Sequence, residues 1–149
     1  MDDNTISNKN GLTHADLFRL RFAYVATSVV ALPIASMMLF APRLSYKVIG
    51  FPYRLPPDQD PVIFGTLASI WLMVGVLCVF AARFPRPYVA FLPMQLLYKT
   101  CWLMCVALPL LLRGELPEYA WPLTIGNLLW IGLDSYCMPW RYWWSRHQH

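Results

Sequence analysis

Two side chains that carry charge at neutral pH, Lys99 and Asp134, stand inside long apolar runs of this chain. At the depth of a bilayer such a group is costly unless it is paired or hydrated, so each one points to an ion pair, a ligand site or a proton path. Gln95 lies one helical turn before Lys99, and Asn127 lies two turns before Asp134. Each spacing puts its two residues on one helix face.

These four residues are predicted to meet. If the two helices that carry them are antiparallel, Lys99 and Asp134 lean toward each other, because helical side chains tilt toward their own N-terminus. We predict a contact between Lys99 and Asp134, direct or through water, with Gln95 and Asn127 beside it. The pair could fix how the two helices dock, or it could be a polar site for a ligand headgroup or a proton. Both interpretations stay open at this stage.

Two aromatic residues, Tyr98 and Trp102, flank Lys99 and share a helix face with each other. Such rings could cover a quinone-like ring or offer a π-face to a cation. The alternative is that they pack against other helices or face lipid.

The sequence offers few residues for a haem, a metal site or a catalytic motif. The three histidines, His14, His147 and His149, lie outside the apolar runs, which excludes a haem held by two histidines inside a bundle. Two histidines near the C-terminus are too few for a specific metal site. No phosphate loop, nucleophile elbow or metalloprotease pattern is present, so we lean against an enzyme and expect no resident cofactor. The four cysteines have no CxxC spacing and are interpreted as small apolar residues: Cys78, Cys101, Cys105 and Cys137.

The composition indicates which kind of fold holds these residues in place. Hydrophobic residues make up 58% of the 149 positions and charged residues 13%. The apolar residues fall into four runs near or above the roughly 20 residues that an α-helix needs to cross hydrocarbon. We therefore predict an all-α, antiparallel four-helix transmembrane bundle over 13–140. Its spans cover about 16–40, 62–82, 88–112 and 119–138.

Local signals refine this bundle. Thr13 and Asp16 form an N-capping pattern for the first helix, which we expect to be retained; cleavage near Ala41 would leave three spans. Pro33 should kink that helix. Short links predict that the second and third helices, and the third and fourth, are neighbours. In the second helix the small residues Gly65 and Ser69, with Ala68 and Gly75, would permit close helix contact.

The regions outside the spans have distinct characters. Residues 1–12 are polar and expected to be disordered. The link 41–61 is rich in proline and either begins with a short surface helix from Pro42 to Gly50 or is an irregular loop. Residues 141–149 form a basic aromatic tail. Its interfacial anchors are predicted to be Trp140, Arg141, Tyr142, Trp143 and Trp144.

The basic residues predict the orientation. Four spans put both termini on one side, and the side with more Lys and Arg should be cytoplasmic. That side carries Lys9, Arg19, Arg21, Arg83, Arg86, Arg141 and Arg146, and the other carries Arg43, Lys47, Arg54 and Arg113. We expect a multi-pass membrane protein with both termini inside. Basic residues flank the runs singly or in pairs, which is not typical of a nucleic-acid partner.

A series of short features follows the chain between about Arg19 and Arg113: Ala41-Pro42-Arg43, Ile49-Gly50-Phe51-Pro52, Phe64-Gly65, Gly75 and Arg83. In these features the organisation resembles the DoxX-like group of small four-span bacterial membrane proteins. The resemblance implies four spans in a bacterial inner (plasma) membrane. The group's namesake is associated with a quinone-linked sulfur oxidoreductase, and no catalytic residue is carried over.

Three functions follow as hypotheses. The first is a non-enzymatic accessory or binding subunit, with membrane lipid and either a membrane-protein partner or a second copy of the chain. The second is a redox-linked protein that binds quinone or another lipid between the third and fourth helices. The third is a small transporter or proton path, which would require oligomerisation.

Overall fold

The computed structural model describes residues 11–49, 61–118 and 120–146; of these, the side chains of 46–49, 61–64 and 145–146 lie outside the description. Every regular element in these ranges is helical, as predicted, and three helices are long and apolar enough to cross a membrane. The elements are α1 (His14–Phe40), α2 (Pro42–Ile49), α3 (Pro61–Arg83), α4 (Phe91–Trp102), a π-helical turn (Leu103–Ala107), α5 (Leu108–Leu112), α6 (Ala120–Cys137) and α7 (Trp140–Arg146).

The first helix begins where its capping pattern predicts. The Asp16 amide donates to the Thr13 hydroxyl oxygen at 3.1 Å, and the Thr13 amide donates to the Asp16 carboxylate at 3.1 Å. This reciprocal capping box satisfies two amides that the helix leaves unpaired. Helix α1 is continuous through Pro33 for its full 27 residues. The kink predicted there stays a prediction.

Helix α3 packs chiefly on α1, and Gly75 shows how close the two come. A Cβ atom added at Gly75 would lie 2.7 Å from the Leu32 side chain and 3.3 Å from the Leu32 backbone nitrogen. By contrast, no described residue lies within 4 Å of a Cβ added at Gly65, and Ser69 is exposed. The close helix contact predicted for the small residues of this helix is therefore confirmed at Gly75, and at Gly65 and Ser69 it stays a prediction.

The third transmembrane segment is one helical run, Phe91–Leu112, interrupted by the π-helical turn. In that turn the Leu108 amide donates to the Leu103 carbonyl, one residue farther than in an α-helix. We attribute the wider turn to Pro109, which has no amide hydrogen and whose ring crowds the preceding turn. The helix begins at Phe91 rather than at the predicted residue 88, because 85–90 form turns.

The short links predict two pairs of neighbouring helices, and both pairs are in contact. Helix α4 packs on α6. Helix α4 also reaches α3, because the Gln95 amide nitrogen donates to Cys78 Sγ at 3.2 Å, although α3 packs most closely on α1. The Tyr24 hydroxyl donates to the Tyr88 carbonyl at 2.7 Å, so α1 lies beside the 84–90 connection.

The described segments before α1 and after α6 both pack on the bundle. Leu12 is 5% exposed, so the predicted disorder does not extend to it; residues 1–10 lie outside the described ranges. Tyr142 on α7 is 6% exposed, and Trp143 is half-buried beside it. Trp140, Arg141 and Trp144 are exposed. The interfacial role predicted for these five residues stays a prediction. The apolar core lies at the end of the bundle where α1 begins and α7 packs, called the terminal end below.

The start of the 41–61 link is helical, which decides between the two alternatives for it. Helix α2 follows α1 after a single residue and packs on it, with Ser45 buried and Leu44 exposed. The Ser45 hydroxyl donates to the Pro42 carbonyl at 2.7 Å within the first turn. The predicted C-cap at Gly50 lies outside the described residues.

The contact at Gly75 yields a stability prediction. We expect Gly75→Ala to lower the free energy of unfolding by about 1–3 kcal/mol, because the added methyl group displaces Leu32 in a close-packed interface. Unfolding in mixed detergent micelles, followed by far-ultraviolet circular dichroism, would measure it. Gly65→Ala on the same helix is the matched control, expected to be neutral or stabilising by up to ~1 kcal/mol. Equal effects of the two substitutions would contradict this packing.

Candidate functional site

The four long helices each supply one or more polar side chains to the middle of the bundle. Helix α1 supplies Thr27, α3 supplies Cys78, α4 supplies Gln95 and Lys99, and α6 supplies Asp134. All five are buried, and Asp134 is completely inaccessible. Such groups are tolerated in an apolar bundle only when they bond to one another, so their pairing decides how the helices fit.

The centre of the site is the predicted ion pair. The Lys99 Nζ donates to Asp134 Oδ2 at 2.5 Å, and the two side chains are 4% and 0% exposed. The contact joins α4 directly to α6. Because neither group reaches solvent, each offsets much of the cost of burying the other.

Gln95 extends the pair to the other two helices. Its carbonyl oxygen Oε1 accepts from Lys99 Nζ at 3.3 Å and from the Thr27 hydroxyl at 3.5 Å. Its amide nitrogen donates to Cys78 Sγ at 3.2 Å. The predicted position of Gln95 beside the pair is confirmed. Thr27 and Cys78 carry no sequence signal as site residues, because a lone hydroxyl or thiol in a span is usually bonded within its own helix.

One carboxylate oxygen and one N–H group of the ion pair have no hydrogen-bond partner in the described part of the chain. Asp134 Oδ1 is buried without a hydrogen bond. An ammonium group has three donors, and the acceptors of Lys99 are Asp134 Oδ2 and Gln95 Oε1. One N–H of Lys99 is therefore available to a water molecule or a ligand.

A cavity of about 300 Å³ lies beside Lys99, in the half of the bundle away from the terminal end. It is partly open at the bundle surface, and its walls come from α1, α3, α4 and α6. The polar residues of its lining are Thr27, Lys99 and Asn127, with Tyr98 and Trp130 as rings that carry a polar atom. The apolar wall consists of Val30, Ala31, Ile34, Val74, Pro122, Leu123 and Gly126, with Trp71 at one side.

The aromatic rings near the ammonium group differ in part from those predicted. Lys99 Nζ lies 5.3 Å from the centre of the Trp130 ring and 5.6 Å from that of Tyr98. Trp102 does not line the cavity, which favours the alternative that this ring packs against other helices or faces lipid. Trp130 could have been found, because it lies three residues after Asn127 and four before Asp134 and so shares their helix face.

Asn127 is placed differently from the prediction. Its amide nitrogen donates to the Leu123 carbonyl in its own helix at 3.1 Å, rather than to the ion pair. It lines the cavity, however, so it lies on the same site as Lys99. A second N–H and the side-chain carbonyl oxygen of Asn127 remain available to a molecule inside the cavity.

The donor set of this site suits an organic ligand better than a metal ion. Within the described ranges, no group of three or more His, Cys, Asp or Glu side chains is arranged to hold one. The cavity instead offers a cationic donor, an amide and aromatic faces. Searches for similar proteins found no matching family model, curated protein or solved structure.

The buried ion pair makes a sharp energetic prediction. We expect Lys99→Met or Asp134→Leu alone to lower the free energy of unfolding by about 3–5 kcal/mol, because each leaves one buried charge without its partner. The double substitution should cost less than either single one, since it removes both charges. Unfolding of the four proteins in mixed micelles would measure this cycle. Leu97→Met, on the exposed face of α4, is the control and should change little. Additive effects of the two substitutions would contradict the pairing.

Proposed function

We propose that the chain is a multi-pass integral protein of a bacterial inner membrane and that α6 is its fourth span. Helix α6 has 18 residues and packs on α4, which lies in a segment able to cross a membrane. A helix of this length extends about 27 Å, close to the roughly 30 Å of the hydrocarbon core. Helix α6 is not among the three helices whose length and composition suit a membrane span. Its one charged residue, Asp134, is paired inside the bundle.

An even number of spans places both termini on one side, which we propose is the cytoplasm. The flanking basic residues support this orientation, since more of them lie at the terminal end of the bundle. The opposite end carries Arg43, Lys47 and Arg113 among the described residues.

This topology can be tested by chemical labelling. In a cysteine-free background, single cysteines at Arg43 and Glu115 should react with a membrane-impermeant maleimide added to intact spheroplasts. Cysteines at Phe84 and at Trp144, which lies beyond α6, should react only after the membrane is opened. All four positions are exposed, so reactivity reports the side and not burial. Reaction of position 144 on the same side as position 115, or opposite sidedness of positions 43 and 115, would exclude the four-span arrangement.

We further propose that the protein binds, without transforming it, a lipid-soluble ring compound of the quinone class in the cavity beside Lys99. The observation that carries this proposal is a buried ammonium group that lines an otherwise mainly apolar cavity and has one N–H to spare. A carbonyl oxygen is a good acceptor for that N–H, and a hydrogen bond from a charged donor is stronger than one between neutral groups. The adjoining Trp130 and Tyr98 rings offer flat faces for a flat ligand.

The volume of the cavity and its opening at the bundle surface suit such a ligand. A volume of about 300 Å³ is at the lower limit for small-molecule pockets and suits a substituted ring rather than a whole polyisoprenoid molecule. Since the cavity is partly open at the bundle surface, an apolar tail can extend into lipid while the ring stays between the helices. Asn127 can contact a second polar group of the ring.

The roles of the chain's own residues follow from the geometry. Asp134 and Gln95 each accept a hydrogen bond from the Lys99 side chain, so they hold its nitrogen atom from two directions. Asp134 does not line the cavity and so acts through Lys99. A quinone ligand would be in line with the resemblance to the DoxX-like group. The accessory-subunit and proton-path hypotheses stay predictions, because no described contact favours a partner or a continuous polar path.

Ligand binding can be tested directly with a short-chain benzoquinone. Isothermal titration calorimetry on detergent-solubilised protein should show binding to the wild type. The double variant Lys99→Met/Asp134→Leu lacks the ammonium donor and should bind about tenfold to a hundredfold more weakly, the expected loss for a hydrogen bond to a charged group. Gly126→Leu should also weaken binding, because it adds a side chain to the cavity wall.

Trp102→Phe is the matched control, since this ring lies on α4 outside the cavity and should leave the affinity unchanged. Equal affinity in all four proteins would contradict the proposed site. The absence of measurable heat for the wild type, confirmed by equilibrium dialysis, would end the proposal of a quinone ligand.

A further inference from the structure

A second cavity, of about 640 Å³, lies at the terminal end of the bundle. It is separate from the cavity beside Lys99 and shares no lining residue with it. One wall is the beginning of α1, and the other is the end of α3 with the connection to α4. The lining consists of His14, Leu17, Phe18, Arg21, Arg83, Phe84, Pro85, Arg86 and Pro87.

The polar part of this lining is basic. Arg21 comes from α1, Arg83 is the last residue of α3, and Arg86 lies in the following turn. Among the residues that the structure describes, neither Asp nor Glu lines the cavity. The acid nearest along α1, Asp16, accepts hydrogen bonds from Thr13 in the capping box. Guanidinium groups from two separate elements therefore border one space, and they match an anion with several oxygen atoms, such as a phosphate.

The rest of the lining is apolar. Phe18 and Phe84 are 72% and 54% exposed, and Leu17, Pro85 and Pro87 complete the surface between them. The Arg83 guanidinium carbon lies 5.6 Å from the centre of the Phe84 ring, so charge and apolar surface adjoin directly. A free phosphate ion would use only the arginines. A phospholipid would use both parts, with its phosphate at the arginines and its glycerol and upper acyl chains against the rings.

The position of the cavity along the bundle agrees with a phospholipid bound in this way. Arg83 ends the apolar segment Gly65–Arg83, and His14 begins the apolar helix α1. Residues at the ends of membrane-crossing helices lie at the level of the lipid headgroups. Basic pockets between helices at that level are suited to anionic headgroups.

We propose that this cavity is a binding site for the headgroup of an anionic phospholipid. The phosphate contacts Arg21 and Arg83, with Arg86 and His14 at the margin, and Phe18 and Phe84 hold the apolar part of the lipid. The site does not depend on a ligand in the other cavity. It gives the protein a fixed lipid between α1 and the α3–α4 connection.

Native mass spectrometry of the full-length chain in neutral detergent tests the site. Phosphatidylglycerol, phosphatidylcholine with the same acyl chains, and inorganic phosphate are each titrated. The wild type should retain one phosphatidylglycerol in preference to phosphatidylcholine, and millimolar phosphate should not displace it. Arg21→Gln/Arg83→Gln should bind phosphatidylglycerol about thirtyfold more weakly, at roughly fivefold for each basic residue.

The matched control is Arg43→Gln/Arg113→Gln, which removes the same charge from exposed positions at the opposite end of the bundle. It should bind phosphatidylglycerol like the wild type. Arg21→Lys/Arg83→Lys should retain most of the affinity because it keeps the charge. If the glutamine double variant does not accumulate, Arg21→Gln alone decides, with an expected loss of about fivefold.

Three results would overturn the proposal. Equal affinity of phosphatidylglycerol for the wild type and the Arg21→Gln/Arg83→Gln variant would show that these arginines are not the site. Equal retention of phosphatidylcholine would show that the cavity does not select charge. Displacement of the lipid by inorganic phosphate would identify a free-phosphate site instead. None of these results bears on quinone binding beside Lys99.

Discussion

The ion pair between Lys99 and Asp134 is the constraint on which the rest of the bundle depends. A lysine and an aspartate buried in an apolar bundle must meet, since either one alone would be a buried uncompensated charge. Their contact sets the rotation and the relative height of α4 and α6. Through Gln95 the same group also reaches Thr27 on α1 and Cys78 on α3, so four helices share one polar centre. Apolar packing alone would specify these positions less sharply, because lipid solvates an apolar helix surface as well as another helix does.

The two halves of the bundle differ on either side of this centre. Toward the terminal end, apolar side chains fill the interior, and the capped start of α1, the Tyr24–Tyr88 contact and α7 close it. Away from the terminal end, the helices leave a partly open cavity with Lys99 in its wall. Apart from the basic cavity between α1 and the α3–α4 connection, the first half is therefore closely packed, whereas the second half leaves room for a small molecule beside Lys99. The π-helical turn between α4 and α5 lies in the second half, where Pro109 prevents a regular helix.

Much of the fold and part of the site could be predicted from the sequence. Long apolar runs predict helices that can cross a membrane, and charges within them draw attention because they are costly there. Hence the pairing of Lys99 with Asp134, beside Gln95, was predictable from spacing and side-chain tilt. Trp130 was not predicted beside Lys99, because the search for rings stayed on the helix that carries Lys99 and did not extend to the face of Asp134 on α6. The cavity itself was not predictable, since an unfilled space depends on how side chains of four helices fit together.

Solid-state NMR of the protein in bilayers would test the central claim most directly. The sequence contains three lysines, so ¹⁵Nζ labelling of lysine gives a simple spectrum. With ¹³Cγ-labelled aspartate, one ammonium resonance should lose intensity through dipolar coupling to a carboxylate carbon at close range. The loss should vanish in Asp134→Asn, and in the wild type the same resonance should shift when a benzoquinone is added. If no lysine nitrogen lies close to an aspartate carbon, the pair does not exist and the site described around it is wrong.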